Sequence, residues 1–264
     1  MKLVGKKVVL TGASGGIGGA IAEALAVEGC QLLLAGRNTN KLAVLMDSLE
    51  GSGHSILSVD LNSSEGRASL LKEASAFQVE MLINGLGANQ LCLLESTNDS
   101  DIENIVATNL LVPIQLCRDF LPLLSNCSNA AIVNIGSILG SIGYAGSSVY
   151  CASKFGLRGF TESLRRELAD TNINVTYFAP RATNTELNST EMRQMNKELG
   201  NTVDEPDWVA NMLIKTLKDG QSANRYLGRA ESFFVRLNSL FPSLVDKALL
   251  KQLPVIRRFS NRAN

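Results

Sequence analysis

Short apolar runs along the chain alternate with longer segments in which apolar residues recur every three or four positions. An apolar run of about 4–8 residues indicates a buried strand, and the longer spacing indicates a helix packed against it. The apolar runs are 7–11, 31–35, 55–59, 81–83, 131–135 and 173–178, with a short last one at 224–228. This alternation predicts one α/β domain: a doubly wound parallel sheet of about seven strands, with helices on both faces and sites at the carboxyl ends of the strands.

The C-terminal segment departs from this alternation, so we divide the chain into a main domain at 1–230 and a helical tail at 231–264. Large apolar residues recur on one predicted helical face until Pro242, and a second short helix is predicted from 244 to 253, ended by Pro254. The predicted apolar face consists of Phe233, Phe234, Leu237, Leu240 and Phe241. Six basic and two acidic residues give the tail a charge of +4. A basic amphipathic tail can lie on an anionic membrane. Alternatively, the helices pack on the domain or on a partner subunit.

Composition narrows the class of protein. The 25 basic and 25 acidic residues balance, which gives no reason to expect a nucleic-acid partner. The chain has no apolar run near the ~20 residues that span a bilayer, and its start lacks a signal-peptide stretch. Five scattered cysteines without a Cys-x-x-Cys pair indicate reduced thiols and a cytoplasmic location. The single His54 excludes a multi-histidine metal site, so no metal is expected.

Three residues in the middle of the chain are candidates for catalysis. Tyr150 and Lys154 are four apart, which places both side chains on one face of a helix. An ammonium beside a phenol favours the phenolate, so we expect Lys154 to lower the Tyr150 pKa from ~10 and make it a general acid or base. Ser137 can reach the same substrate oxygen if its loop folds back. The pair alone also fits a surface Tyr and Lys on an amphipathic helix.

The segment 8–18 runs from an apolar strand through a glycine-rich turn into a helix. Such a turn lets backbone N–H groups approach a pyrophosphate, and the dipole of the helix that follows favours the anion. The alternative is an ordinary strand–helix turn. The residues expected to contact the cofactor here are Gly12, Ser14, Gly15, Gly16, Ile17 and Gly18.

The Thr11-Gly-x-x-x-Gly-x-Gly18 turn and the Tyr150-x-x-x-Lys154 pair, in this order and in a chain of this length, resemble the short-chain dehydrogenase/reductase family. The resemblance covers roughly 5–228. It implies a Rossmann-like fold, a nicotinamide cofactor and a small-molecule carbonyl or alcohol substrate. It also implies a homodimer or homotetramer.

Further positions match the family's cofactor contacts. The resemblance places Asp60 and Leu61 at the adenine, and Pro180 and Thr185 at the nicotinamide. It also implies that Lys154 holds the nicotinamide ribose, beside Tyr150.

Asn109 matches the family's active-site asparagine. In the family this residue distorts its helix, and its backbone carbonyl holds a water that relays protons to the lysine. A buried asparagine beside a kink at Pro113 is the alternative.

Two motifs depart from the family pattern. Asn84-Gly85-Leu86-Gly87 stands where the family has Asn-Asn-Ala-Gly; we retain Asn84 and Gly85 as cofactor contacts. Arg181 replaces the glycine after Pro180. A positive φ is costly for arginine, so we expect the loop to take another path, or Arg181 to meet an anionic substrate group.

Arg37 decides the expected cofactor. The end of the second strand faces the adenosine ribose, where a carboxylate would bind the 2′-hydroxyl and repel a 2′-phosphate. The chain has Gly36 there, followed by Arg37, whose guanidinium suits a phosphate. We therefore expect NADP(H), although Arg37 can also be a solvated loop charge.

The combined prediction is an NADP(H)-dependent oxidoreductase that interconverts a carbonyl and an alcohol. The apolar tail suggests a long apolar or acyl-type ketone, and 185–201 fits a mobile segment that closes over substrate. The altered motifs leave a catalytically silent NADP-binding regulator as an alternative, and the tail leaves a lipid-surface adaptor.

Overall fold

The structure is a computed structural model that describes residues 1–260. It confirms the predicted fold: seven parallel strands form one sheet in the order β3-β2-β1-β4-β5-β6-β7. The strands are β1 (Lys7–Thr11), β2 (Gln31–Gly36), β3 (Ser55–Ser58), β4 (Met81–Asn84), β5 (Ala130–Ile135), β6 (Ile173–Ala179) and β7 (Asn224–Tyr226). The order reverses between β1 and β4, so the loops that follow these two strands diverge and open a crevice at the carboxyl ends.

Helices cover both faces of the sheet. Strand residues alternate between the faces: Val8 and Leu10 belong to one core cluster and Val9 to the other, all fully buried. On the first face lie α1 (Gly16–Val27), α2 (Thr39–Ser48) and α8 (Pro206–Asp219); on the second lie α3 (Ser64–Phe77), α5 (Val112–Leu124) and α6 (Ser148–Glu167). Near-continuous apolar strands are what a sheet buried on both sides requires.

The long helix expected over 101–124 contains an irregular turn. It consists of α4 (Asp99–Val106), a π-helical turn at Ala107–Leu111 and then α5. Asn109 lies in the middle of the π turn and is fully buried. Pro113 has no N–H and cannot donate to the Asn109 carbonyl four residues earlier. The local sequence therefore frees this carbonyl.

The tail forms three helices over the carboxyl end of the sheet: α9 (Arg229–Leu240), α10 (Pro242–Leu250) and α11 (Leu253–Ser260). Pro254 lies in the first turn of α11, where proline is tolerated, and the prediction that it ends the preceding helix is wrong. Within residues 1–260, no helix combines the length and apolar character needed to cross a bilayer.

The predicted apolar face of the tail is not the face that is buried. Val235 of α9 and Val245 of α10 pack on Ile138 and Ile142 instead. Of the five residues in the predicted face, Leu237 is half-buried and the other four are exposed. The physical reason is that valines on the opposite side of the helices fit the surface that the main domain offers.

Candidate active site

A cleft of about 800 Å³ lies at the carboxyl ends of the strands. The tail closes one side of it, and the three loops at 86–89, 138–144 and 181–188 contribute to its wall. The structure brings most of the sequence-predicted site residues to this cleft. They are Gly12, Ser14, Gly15, Gly16, Ile17, Gly18, Arg37, Asp60, Leu61, Gly85, Ser137, Tyr150, Lys154, Pro180 and Thr185. The side chains of Asn84 and Asn109 lie behind its wall.

The glycine-rich turn after β1 is shaped for a close approach. Gly12 has φ +69°, and a Cβ at this position would lie 2.6 Å from the carbonyl oxygen of Gly85. A Cβ at Gly18 would collide with the Gly12 carbonyl. The N-cap of α1 is Gly15, which has no side chain to accept from the first-turn N–H groups. A ligand anion can therefore meet those N–H groups directly, so the residues present fit a pyrophosphate.

The end of β2 supplies cations to the same cleft. Arg37 is exposed and lines the cleft beside Gly36, where a Cβ would lie 3.1 Å from Ser14 Oγ. Lys41, in the first turn of α2, also lines the cleft and forms a 2.7 Å salt bridge with Glu186. Our sequence reasoning missed Lys41; Arg37 lies before the N-cap Asn38, so helical spacing does not connect these two residues.

Tyr150 and Lys154 lie on one side of α6 and are both buried. The Lys154 Nζ donates to the Ile135 carbonyl at 2.9 Å and lies 5.8 Å from the centre of the Tyr150 ring. Burial raises the pKa of Tyr150 to about 12, and a hydrogen bond with Ser137 opposes this. Burial lowers the pKa of Lys154 to about 8.

We expected the Tyr150 pKa to lie below its ordinary value of ~10, and the structure contradicts this, because burial raises the pKa. Burial in a poorly solvated wall disfavours the phenolate more than the neighbouring groups favour it. At neutral pH the pair is a neutral phenol beside an ammonium.

Tyr177 on β6 supports Ser137 from below, a role the sequence analysis missed. Its hydroxyl accepts from the Ser137 N–H at 3.1 Å and donates to the Ser137 carbonyl at 2.9 Å. Its fully buried ring occupies the space that side chains at Gly136 and Gly140 would fill. These two glycines were the available signal, because each permits a close approach of another chain segment. Ser137 Oγ in turn accepts from the Leu139 N–H at 3.1 Å.

Asn109 connects three elements through its side chain. Its amide donates to the Ala88 carbonyl at 2.8 Å and to Ser153 Oγ at 3.0 Å, and its oxygen accepts from the Ala88 N–H at 2.8 Å. The π turn is thereby tied to the loop after β4 and to α6. The side chain is satisfied by protein groups, so any proton relay here would use the backbone carbonyl.

Asn84 is placed differently from the expectation of a cofactor contact. Its side chain is buried between β4 and β5, where the amide donates to Asn134 Oδ1 at 2.9 Å and to Cys117 Sγ at 3.4 Å. The side-chain amide of Asn134 in turn donates a 2.9 Å hydrogen bond to the Thr161 hydroxyl on α6. Asn84 therefore joins the sheet to its covering helices behind the cleft, while Gly85 faces it.

Arg181 is engaged by protein carboxylates rather than left free for an anionic substrate. Its guanidinium donates to both oxygens of Asp204 at 2.8 Å and to Glu231 of α9 at 3.0 Å, and it lies 5.8 Å from the Trp208 ring. The hydrogen bonds with Asp204, and then those with Glu231, raise the pKa of Arg181. Arg181 does not have a positive φ, so the loop takes another path, as expected. The residue anchors the tail to the main domain.

The tail also builds the outer wall of the cleft. Phe234, Val245 and Leu249 line it, and Gln252 accepts a 2.9 Å hydrogen bond from Tyr144. Further out, Ile256 and Phe259 of α11 pack against Met192 and Met195 of α7 (Thr190–Glu198), the helix within the segment expected to close over substrate. Of the wall residues Phe234, Val245 and Leu249, only Phe234 belongs to the apolar face predicted from the sequence.

Comparisons with known proteins agree with this geometry. The sequence profile described as short chain dehydrogenase matches residues 6–196. The chain is 31% identical to ketoacyl reductase HetN of Nostoc sp. over 221 residues, 82% of this chain and 77% of that protein. It is 37% identical to carbonyl reductase family member 4 of Danio rerio, in a match that covers 68% of this chain and 76% of that protein. It is 33% identical to 3-oxoacyl-[acyl-carrier-protein] reductase FabG of Escherichia coli, over 68% of this chain and 74% of that protein. A short chain dehydrogenase/reductase from Burkholderia phymatum, solved in complex with NAD, superposes with a TM-score of 0.83 at 22% identity over 92% of this chain and 96% of that one.

Proposed function

This chain belongs to the short-chain dehydrogenase/reductase family, and we propose that it is an NADP(H)-dependent oxidoreductase that reduces a long apolar or acyl-type ketone to an alcohol. The observation that carries the proposal is that Ser137, Tyr150 and Lys154 share one cleft with the glycine-rich turn after β1. A bound nicotinamide would supply hydride to the carbonyl carbon.

The side chains then act on the carbonyl oxygen. Tyr150 has a pKa near 12, so it remains a protonated phenol at neutral pH and can donate its proton as negative charge develops on that oxygen. The Ser137 hydroxyl donates a second hydrogen bond to the same atom. Lys154 is mostly charged below its pKa of about 8, and its positive charge favours the phenolate left after proton transfer. The Asn109 side chain holds the loop after β4 against α6. Its backbone carbonyl, to which Pro113 cannot donate, would accept from a relay water.

The proposed cofactor is NADP(H). Gly12 to Gly18 and the start of α1 would hold the pyrophosphate, and Asp60 and Leu61 the adenine. Tyr150, Lys154, Pro180 and Thr185 would hold the nicotinamide end. Arg37 would meet the 2′-phosphate, and Gly36 leaves no carboxylate to repel it. Lys41 would be a second cation there, released from Glu186.

The apolar wall supports the proposed substrate class. Ile138, Ile142, Phe234, Val245 and Leu249 line the outer part of the cleft, and Arg181 is already paired with carboxylates. Two of the relatives named above are called reductases of ketoacyl or 3-oxoacyl groups. A long acyl chain lying along this wall would bury more apolar surface against these side chains than a short ketone could.

Steady-state loss of NADPH with a chain-length series of 3-oxoacyl thioesters tests the proposal. We expect kcat/KM to rise about tenfold or more from short to long chains. Phe234→Ala should reduce that preference, because Phe234 lines the cleft. The matched control is Phe233→Ala, since Phe233 is 61% exposed and lies outside the cleft wall. A flat chain-length profile would reject the substrate class, and tight NADPH binding without turnover of any carbonyl would favour the silent regulator.

The assembly and location also stay proposals. The family resemblance supports a homodimer or homotetramer, which sedimentation velocity of the full chain would measure. We propose that the protein is cytoplasmic and contacts a membrane peripherally through the tail.

A further inference from the structure

The outer surface of α9 and α10 carries large apolar side chains that face water. We call this surface the tail patch. Its apolar members include Phe233, Leu240, Phe241 and Leu250, which are 61%, 73%, 55% and 63% exposed. Leu244, at 54%, lies between them in the chain. Five neighbouring exposed side chains of this size are unusual on a monomeric surface and indicate an interaction site.

The helical spacing explains why these residues share a side. Arg229, Phe233, Arg236 and Leu240 follow one another at intervals of four, three and four, which places them on one face of α9. Val235 and Val245 bury the opposite faces of α9 and α10 against Ile138 and Ile142. Because both helices turn their inner faces to the same pair of isoleucines, their outer faces both point away from the domain.

Cations border the apolar residues of the tail patch. Arg229, Arg236, Lys247 and Lys251 are exposed, and none of these four forms a salt bridge within residues 1–260. Of the two tail carboxylates, Glu231 is taken by Arg181, which leaves Asp246. The tail patch therefore combines apolar surface with a net positive charge.

The apolar surface and the positive charge of the tail patch together favour one binding partner over the others. A second copy of the chain in a two-fold contact would place the same cations opposite one another, which is unfavourable. An anionic bilayer offers negative headgroups to the cations and acyl chains to the phenylalanines and leucines. We infer that the tail patch docks the enzyme on an anionic lipid surface.

The tail patch is continuous with the cleft wall. Phe234, next to Phe233, is 44% exposed and also lines the cleft, as do Val245 and Leu249 on the inner side of α10. A docked tail would therefore hold the apolar end of the cleft at the membrane surface. A lipid-like substrate could then enter without its chain crossing water.

Co-sedimentation of the full-length protein with vesicles tests the inference. Vesicles of phosphatidylcholine mixed with phosphatidylglycerol are compared with vesicles of phosphatidylcholine alone. We expect binding to the anionic vesicles, weaker binding to the neutral ones, and loss of affinity as salt rises, because exposed charges are screened. Binding needs neither cofactor nor substrate, so its failure would leave the proposed reductase activity untouched.

Two double variants separate the apolar and charged contributions. Phe233→Gln with Leu240→Gln should weaken binding by about tenfold or more, and Arg236→Gln with Lys247→Gln by about thirtyfold. These residues are exposed and lie outside the cleft wall, so turnover of a water-soluble ketone should not change.

Matched controls come from the rest of the surface. Val27→Gln and Lys215→Gln replace an exposed apolar residue and an exposed cation elsewhere, and both variants should bind vesicles as the wild type does. Wild-type protein that stays in the supernatant with anionic vesicles would overturn the inference. So would undiminished binding by the Phe233→Gln/Leu240→Gln variant. If that variant instead dissociates an oligomer in lipid-free sedimentation velocity, the tail patch is a subunit interface and the inference is wrong.

Discussion

Replacing Tyr177 by phenylalanine tests whether the support beneath Ser137 matters for catalysis. The change removes one hydroxyl and keeps the ring that fills the space beside Gly136 and Gly140. Both hydrogen bonds with Ser137 disappear, one accepted from its N–H at 3.1 Å and one donated to its carbonyl at 2.9 Å, together with a longer contact of 3.5 Å to the Lys154 carbonyl. The protein should therefore fold with its core packing intact while Ser137 loses its anchor.

The expected loss of stability depends on which hydrogen-bond partners remain for the Ser137 carbonyl and N–H. The carbonyl keeps a second partner, because it also accepts from the Gly140 N–H at 2.9 Å. Within residues 1–260 no other group accepts a hydrogen bond from the Ser137 N–H, so one partly buried donor is left unpaired. Such a group costs about 1–3 kcal/mol, and we expect Tyr177→Phe to lower the free energy of unfolding by that amount. Urea denaturation at constant m-value measures it.

The expected loss of activity follows from the position of the Ser137 hydroxyl. Without Tyr177 the Ser137 backbone can shift, and the hydroxyl then aims less well at the substrate oxygen. We expect kcat to fall about tenfold while the KM for NADPH stays unchanged, because Tyr177 does not line the cleft.

Tyr226→Phe is the matched control. The Tyr226 hydroxyl makes longer contacts, at 3.3 Å with Ser141 Oγ and 3.5 Å with Asn224 Nδ2, and none with Ser137. It should change both the stability and kcat by less than Tyr177→Phe does. If Tyr177→Phe retains wild-type stability and turnover, or if Tyr226→Phe matches its effects, the supporting role is refuted.

Four more predictions concern the cleft and its anchor. Tyr150→Phe should reduce turnover by about a hundredfold or more and leave cofactor affinity unchanged in a fluorescence titration, because the ring remains but the proton donor is gone; near-normal turnover would contradict the assignment. Arg37→Ala should weaken NADPH binding by about tenfold to a hundredfold and leave NADH affinity unchanged, since a charge-assisted hydrogen bond is worth ~1.5–3 kcal/mol. Equal affinities of the wild type for the two cofactors would disprove the NADP(H) proposal. The reduction rate should decline as pH rises through about 8, where Lys154 loses its proton. Lys154→Arg should move this decline to higher pH, because a guanidinium stays protonated. Identical pH–rate profiles for the two proteins would exclude Lys154 as the titrating group. Arg181→Met should lower the free energy of unfolding by about 3–5 kcal/mol because it strands two carboxylates, and adding Glu231→Gln should recover part of the loss in a double-mutant cycle.

The sequence determined the elements whose signals are local. Strand β1 begins and ends at the predicted residues, Lys7 and Thr11, because a buried parallel strand is an unbroken apolar run. The glycines after it were readable because turn chemistry depends on a few neighbouring residues. Tyr150 and Lys154 share a side of α6 because their spacing alone sets that geometry.

Tertiary structure decided the properties that depend on distant neighbours. The sign of the Tyr150 pKa shift follows from burial, which the four-residue spacing to Lys154 does not reveal. The pairing of Arg181 with Glu231 joins residues 50 positions apart, so no local pattern announced it.

The tail shows the same division. Apolar periodicity predicted helices there, but α9 carries apolar residues on several sides, so periodicity could not say which side is buried. The position of Ile138 and Ile142 on the main domain selected Val235 and Val245 and left the tail patch exposed. Tyr177 likewise reads as an ordinary strand residue, and its contact with Ser137, 40 positions earlier, exists because adjacent parallel strands bring β5 and β6 side by side. Local apolar patterns predicted the buried strands, but these contacts between distant residues depend on how the elements pack, which the local patterns of the tail and of β6 did not specify.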